Sequence, residues 1–320
     1  MKLSIIIPIY KAEKWISRCL NSIYNQEADN DDFEVLCVID GSPDKSLEIV
    51  KQFQFSHSNI KLIVQKNQGV SVARNQGIDA SSGEYIMFMD ADDALFDNTL
   101  HPLMGKLNND GSDIIICRAF TGSYEWVPWA DLFKDEDVMN PADAVRKGYL
   151  RGCVWGGCYR RMTINDNNIR FAAGVSNGED TLFFMTCMYF AKSICFNNIV
   201  LYNVIEEDNS LSRTYSKDKI NAIIGYFPVL EELSNKYTLV DRFFILQYVK
   251  YSWLSALVVR TIRTRGVGYR YLKRAGINKY ANFRLDNNTV ALRGKMKLMS
   301  ESFFMFYIFA WIKDIFRRLF

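Results

Sequence analysis

Five short apolar runs punctuate residues 3–117: LSIIIPI, FEVLCVI, IKLIVQ, EYIMFM and SDIIICR. Segments of helical period separate the first four. Trp15, Ile16, Cys19, Leu20 and Ile23 recur on one helical face, a second helix begins near Asp44, and a third covers GVSVARNQGIDAS. This alternation constrains the fold most, because near-continuous apolar strands alternating with helices predict a mostly parallel α/β sheet covered on both faces. In such a sheet ligands bind beyond the carboxyl ends of the strands. Just past three of these ends stand Ile9 and Tyr10, the segment DGSPDKS from Asp40, and DADD from Asp90, so one crevice is expected to gather them.

Residues 118–212 are less regular and carry Trp126, Trp129 and Trp155. Within them SNGEDTLFFMTCMYFA reads as a loop entering a helix, capped by Ser176 or Asn177, with Glu179 and Asp180 in the first turn. Beyond Ser216 only apolar-aromatic helical segments set with Lys and Arg are visible. The expected organisation is a domain of residues 1–212, with halves 1–117 and 118–212, followed by a helical region of residues 213–320. Charge follows the same division: Arg213 to Phe320 holds 20 Lys and Arg against 7 Asp and Glu, leaving 19 and 29 for residues 1–212. A basic tail on an acidic body signals a partner.

The inventory excludes several chemistries. Only His57 and His101 are present, which argues against histidine triads and His-rich zinc sites. Seven Cys at irregular spacing, without a CxxC pair, read as buried thiols of a reducing compartment. The apolar run at the N-terminus, Leu3 to Ile9 with Pro8 inside it, is too short for a signal peptide. A cytoplasmic protein is expected.

The segment EYIMFMDADD drives a buried strand into Asp90, Asp92 and Asp93. Crowded carboxylates raise one another's pKa, so a cation is needed beside them. A helix cap needs one Asp; three suggest a divalent ion held by one or two carboxylates, with waters and substrate phosphates completing its shell. VIDGSPDKS is by itself a turn, and Arg74 by itself is either solvated or functional.

Read in order, SIIIPIYKAEKWISRCLNSI, VIDGSPDKS, NQGVSVARNQGI and GEYIMFMDADD resemble the nucleotide-sugar-binding half of family 2 glycosyltransferases of the GT-A (Rossmann-like) fold, over residues 3–97. VWGGCYRR, IRFAAGVSNGEDTLFF and NSLSR are similar to acceptor-side elements of bacterial members that build surface polysaccharides. The resemblance implies an inverting, metal-dependent transferase moving a sugar from a nucleotide donor, UDP-linked, to a lipid-linked or growing glycan, with no nucleic-acid partner and oligomerisation left open. It implies that Tyr10 packs on the nucleobase beside the backbone of Pro8 and Ile9, that Asp40 accepts from uracil, and that Arg74 reaches the base or pyrophosphate. Asp90, beside Ala91, would face the ribose and metal-bound waters, and Asp92 would ligate Mn²⁺ or Mg²⁺. Asp93 belongs to the same motif. Asp180 would be the general base, with Glu179 its neighbour. Where the family commonly has Trp, a small residue and Lys, this chain has Trp155, Gly156 and Gly157.

Two rival readings stand beside this one. MFMDADDAL also offers the aspartyl nucleophile of a phosphatase, but such motifs open the sheet and carry Thr or Val where Ala94 follows Asp93. A nucleotide-sugar binder without turnover has no use for a base at Asp180. The tail SESFFMFYIFAWIKDIFRRLF has an apolar run from Phe303 to Ile312, shorter than the roughly 20 residues that span a bilayer. Followed by Lys313, Arg317 and Arg318, it reads either as an interfacial helix on an anionic membrane surface or as a helix packed on protein.

Overall fold

The computed structural model describes residues 1–121, 124–126, 138–147, 149, 152–174, 178–205, 216–236, 243–281 and 293–319. The chain divides into two compact units: Met1–Pro141, Arg151–Gly174 and Glu179–Asp208 form the first; Ala142–Leu150, Val175–Gly178 and Asn209–Phe320 form the second.

The first unit is built on strands β1 (Leu3–Ile9), β2 (Phe33–Asp40), β3 (Ile60–Gln65), β4 (Tyr85–Phe88), β5 (Ala94–Leu95), β6 (Ile114–Thr121), β7 (Tyr124–Trp126), β8 (Val138–Met139), β9 (Gly157–Arg160) and β10 (Ile194–Val204). Its helices are α1 (Ile16–Tyr24), α2 (Ser46–Ser56), α3 (Val70–Ala80) and α4 (Leu100–Asn109); α5 (Pro141–Arg146) begins at the unit boundary, and α6 (Arg161–Asp166) and α7 (Glu179–Phe190) follow. The sheet order is β3-β2-β1-β4-β9-β6-β10-β5, with β7 on β6 and β8 on β10. Strands β1 to β4 pair in parallel, as the βα alternation requires. Strand alternation then sorts the side chains. Leu3, Ile5, Ile7 and Ile9 join Ile16, Cys19, Leu20 and Ile23 of α1 and Leu100, Leu103 and Leu107 of α4 in one core. Ile6 points to the other face, where Gly77 of α3 passes so closely that a Cβ there would lie 2.3 Å from Ile6 Cγ2.

Away from that parallel half the sheet is mixed. β9 runs antiparallel to both β4 and β6, while β10 returns parallel to β6. The second unit contains α8 (Lys217–Lys236), α9 (Phe243–Arg263), α10 (Tyr269–Arg274), a 3₁₀ turn (Ile277–Ala281), α11 (Arg293–Glu301) and α12 (Phe303–Leu319). No strand occurs beyond Ser216 among the described residues, as the periodicity predicts. All seven cysteines are buried and none forms a disulfide. Trp129, the caps Ser176 and Asn177, the NSLSR block and the side chain of Trp126 lie outside the described residues.

Candidate active site

The parallel registers Ile9 with Ile39 and Ile6 with Phe88 bring the carboxyl ends of β1, β2 and β4 side by side. Tyr10, Asp40 and the DADD segment therefore emerge at one end of the sheet. The same end receives α3. Because Gly77 lets this helix press against β1, Arg74, one turn earlier, is carried into the protein and is buried. The solvated alternative for Arg74 is thereby removed.

Arg74 organises the acidic residues. Its Nη2 donates to Asp90 Oδ1 at 2.8 Å and its Nη1 donates to Asp180 Oδ1 at 2.5 Å. Glu179 Oε1 lies 3.7 Å from the same Nη1, and the guanidinium sits 5.2 Å from the centre of the Phe171 ring. One buried cation thus joins carboxylates 16 and 106 positions away in the chain. Burial pushes the Asp180 carboxyl up to about 7, with Glu179 and Asp90 adding to the rise and Arg74 opposing it. A carboxyl in that range is suited to taking a proton near neutral pH.

The three carboxylates of DADD do not converge on one point. Asp90 is turned to Arg74. Asp93 is buried: its Oδ2 accepts from Tyr202 Oη at 2.8 Å and its Oδ1 accepts from the Ile205 amide at 3.0 Å. Burial, together with Asp90, raises its pKa to about 8. Tyr202 Oη also accepts from the Asp90 amide at 2.9 Å, and its ring stacks on Trp155 at 5.3 Å. Asp92 is exposed, its carbonyl held by Arg18 Nη2 at 2.6 Å. The cation beside Asp90 in this structure is therefore Arg74. Among the described residues no three His, Cys, Asp or Glu side chains gather to hold a metal by themselves. Asp92 and the partly exposed Asp90 offer oxygen donors of the kind a hard divalent ion takes alongside water and phosphate.

Asp40 is buried and already engaged. Its Oδ1 accepts from Gln65 Nε2 at 2.7 Å and the Gln68 amide at 2.8 Å, and its Oδ2 accepts from the Gly69 amide at 2.9 Å. It thereby fixes the loop that starts α3, and hence the helix bearing Arg74. Tyr10 projects outward, with Lys11 Nζ 5.2 Å from its ring centre. Ile9 and Ala91 are buried, and Pro8 is half-buried. In the neighbouring loop Asp44 accepts from Ser42 Oγ, Ser46 Oγ and the Glu13 amide, and these bonds outweigh its slight burial and hold its pKa near about 2.

Sequence reasoning did not find Tyr202, Phe171, Arg18 or the Gln65–Gly69 loop. Each acts through a partner at least 25 positions distant, which no local pattern reports. The departure at Gly157 has a steric cause: a Cβ there would meet Tyr159 Oη at 2.9 Å, and that hydroxyl donates to the Val154 carbonyl from a buried ring.

Comparison with known proteins shows the family and the fold. The profile of Glycosyl transferase family 2 matches residues 4–164. The uncharacterised glycosyltransferase YibD of Escherichia coli is 32% identical over 74% of this chain and 72% of its own length. The putative glycosyltransferase EpsH of Bacillus subtilis is 30% identical over 67% of this chain, which spans 63% of it. Among solved structures, Staphylococcus aureus TarS 1-349 in complex with UDP-GlcNAc superposes with a TM-score of 0.71 at 20% identity, covering 99% of this chain and 92% of that one. The mannosyltransferase PcManGT of Pyrobaculum calidifontis, in complex with GDP-Man and Mn²⁺, gives a TM-score of 0.57 at 16% identity over 98% and 87%. These structural likenesses establish the GT-A fold, and the phosphatase reading finds no support in the matches. With the profile covering half the chain and YibD aligned over most of both sequences, the protein belongs to glycosyl transferase family 2.

Proposed function

We propose that this glycosyltransferase transfers a sugar from a UDP-linked donor to a hydroxyl of a lipid-linked or growing surface glycan, with inversion, at the cytoplasmic face of a membrane. The observation that carries the reading is the bridge Asp90–Arg74–Asp180, which sets the motif expected to face the donor against the residue expected to act as base. The two complexes named above, one of TarS with UDP-GlcNAc and one of PcManGT with GDP-Man and Mn²⁺, support a nucleotide-sugar donor. Poly(ribitol-phosphate) transferases among the relatives support a hydroxyl-bearing polymer as acceptor. The domain is proposed to comprise residues 1–212, with the helical remainder as an appendage.

In this reading Tyr10 stacks on the base beside the Pro8 and Ile9 backbone, Asp40 accepts from it, and Asp90 and Ala91 border the ribose. Asp92 with Asp90 would hold Mn²⁺ or Mg²⁺, which supplies Lewis-acid stabilisation of the diphosphate charge. Arg74 places a fixed positive charge beside the same diphosphate. Asp180, flanked by Glu179, takes the acceptor hydroxyl proton as the acceptor oxygen bonds to the anomeric carbon. The bond to the diphosphate oxygen breaks, and its electron pair leaves with UDP. Direct attack from the face opposite the leaving group inverts the anomeric centre. Thermal stabilisation by UDP with Mn²⁺, lost in Asp92→Ala, is the expected result. Stabilisation by phosphate alone, equal in wild type and variant, would overturn the donor assignment.

A further inference from the structure

Helix α12 is 17 residues long, about 25 Å at the usual rise. Phe303, Phe306, Tyr307 and Asp314 on it are buried. Phe304, Met305, Phe309, Trp311 and Ile312 are each 43 to 52% exposed. At about 100° per residue, these five together with half-buried Ile308 occupy a continuous arc of roughly 160°. Scattered exposed apolar residues are ordinary, but a contiguous aromatic face marks a contact surface.

Charge identifies what covers it. The helix's single carboxylate, Asp314, is turned inward, where its Oδ1 accepts from Arg263 Nε at 2.8 Å. At the rim of the arc Lys313 is exposed. Tyr269 of α10 packs on Phe304 at 4.9 Å between ring centres, and α10 brings exposed Arg270, Lys273 and Arg274 to the same neighbourhood. An apolar, Phe- and Trp-rich face with a cationic rim matches an anionic lipid surface, where aromatic side chains enter the headgroup boundary and Lys and Arg meet lipid phosphates. No helix among the described residues is long and apolar enough to cross a membrane.

We propose that this outward arc of α12 docks the protein on an anionic bilayer, lying flat in the interface. The inference deepens the membrane placement proposed above, and its test involves no donor and no turnover, so the transfer reaction and the docking surface fail independently. The full chain is floated with vesicles of equimolar phosphatidylglycerol and phosphatidylcholine, and with phosphatidylcholine alone. Binding to the anionic vesicles is expected, released by high salt, and roughly tenfold weaker or less in Phe309→Ser/Trp311→Ser. A second variant, Arg270→Glu/Lys313→Glu, is expected to lose the preference for anionic lipid while keeping its melting temperature. Three results would overturn the proposal: no flotation of the wild type, equal flotation of both variants, or wild-type self-association that Phe309→Ser/Trp311→Ser abolishes, which would make the arc an interface between copies.

Discussion

Arg74 and Asp180 face each other across 2.5 Å, although 106 positions separate them in the chain. The same guanidinium holds Asp90, so the residue proposed as base and the motif proposed to face the donor share one cation. Under the proposed roles, a donor diphosphate that competes for Arg74 would take part of this partner from Asp180, so donor binding and base readiness would be coupled.

Removing Arg74 shows in stability what the shared cation contributes. Arg74→Ala leaves the half-buried Asp180 and the partly exposed Asp90 without their common partner, at a cost of about 1 to 3 kcal/mol. Arg74→Lys keeps the charge but not the fork that reaches two carboxylates, and falls between the two. Denaturant titration of the three proteins checks the order.

Acidity offers a second handle. Asp180, half-buried beside Glu179 and Asp90 and facing Arg74, has its pKa pushed up to about 7 by desolvation, and a base acts in its deprotonated form. The kcat/KM for transfer is therefore expected to rise about tenfold per pH unit below about 7 and to level off above it. A profile flat from pH 5 to 8 would remove Asp180 from the role.

Tyr202 of β10 secures the DADD segment through Asp90 and Asp93. Tyr202→Phe deletes the hydroxyl that receives the Asp90 amide and donates to Asp93, while leaving the ring on Trp155. A loss of about 1 to 3 kcal/mol is expected, the cost of a buried polar group left unmatched. Thermal unfolding of the variant measures it.

Gly157 cannot simply be returned to the lysine common in the family. Even Gly157→Ala places a methyl 2.9 Å from Tyr159 Oη and 3.2 Å from Ile116 Cδ1, costing about 1 to 3 kcal/mol. Gly157→Lys is expected to be no more stable than Gly157→Ala and to gain no activity.

Much of this could be read from the chain before its structure. The runs of β1 to β4 are apolar enough that alternation with helices left one architecture, and topology then placed Tyr10, Asp40 and Asp90 at one sheet end. The antiparallel half was not legible. β9 is only four residues long, and β10 contains Asn197 and Asn198 where its register against β6 shifts, so neither shows the period of a strand. The inward turn of Asp93 was hidden for another reason. Its partner Tyr202 is 109 positions away, and a carboxylate bonded inside the protein looks, in sequence, like one aimed at a metal.

The central claim is that Asp180 takes the acceptor proton in a UDP-sugar transfer, and Asp180→Asn tests it most directly. With UDP affinity measured alongside transfer, the account predicts donor binding within a few-fold of wild type and a loss of turnover of about 10² to 10⁴. Full transfer activity in Asp180→Asn would contradict it.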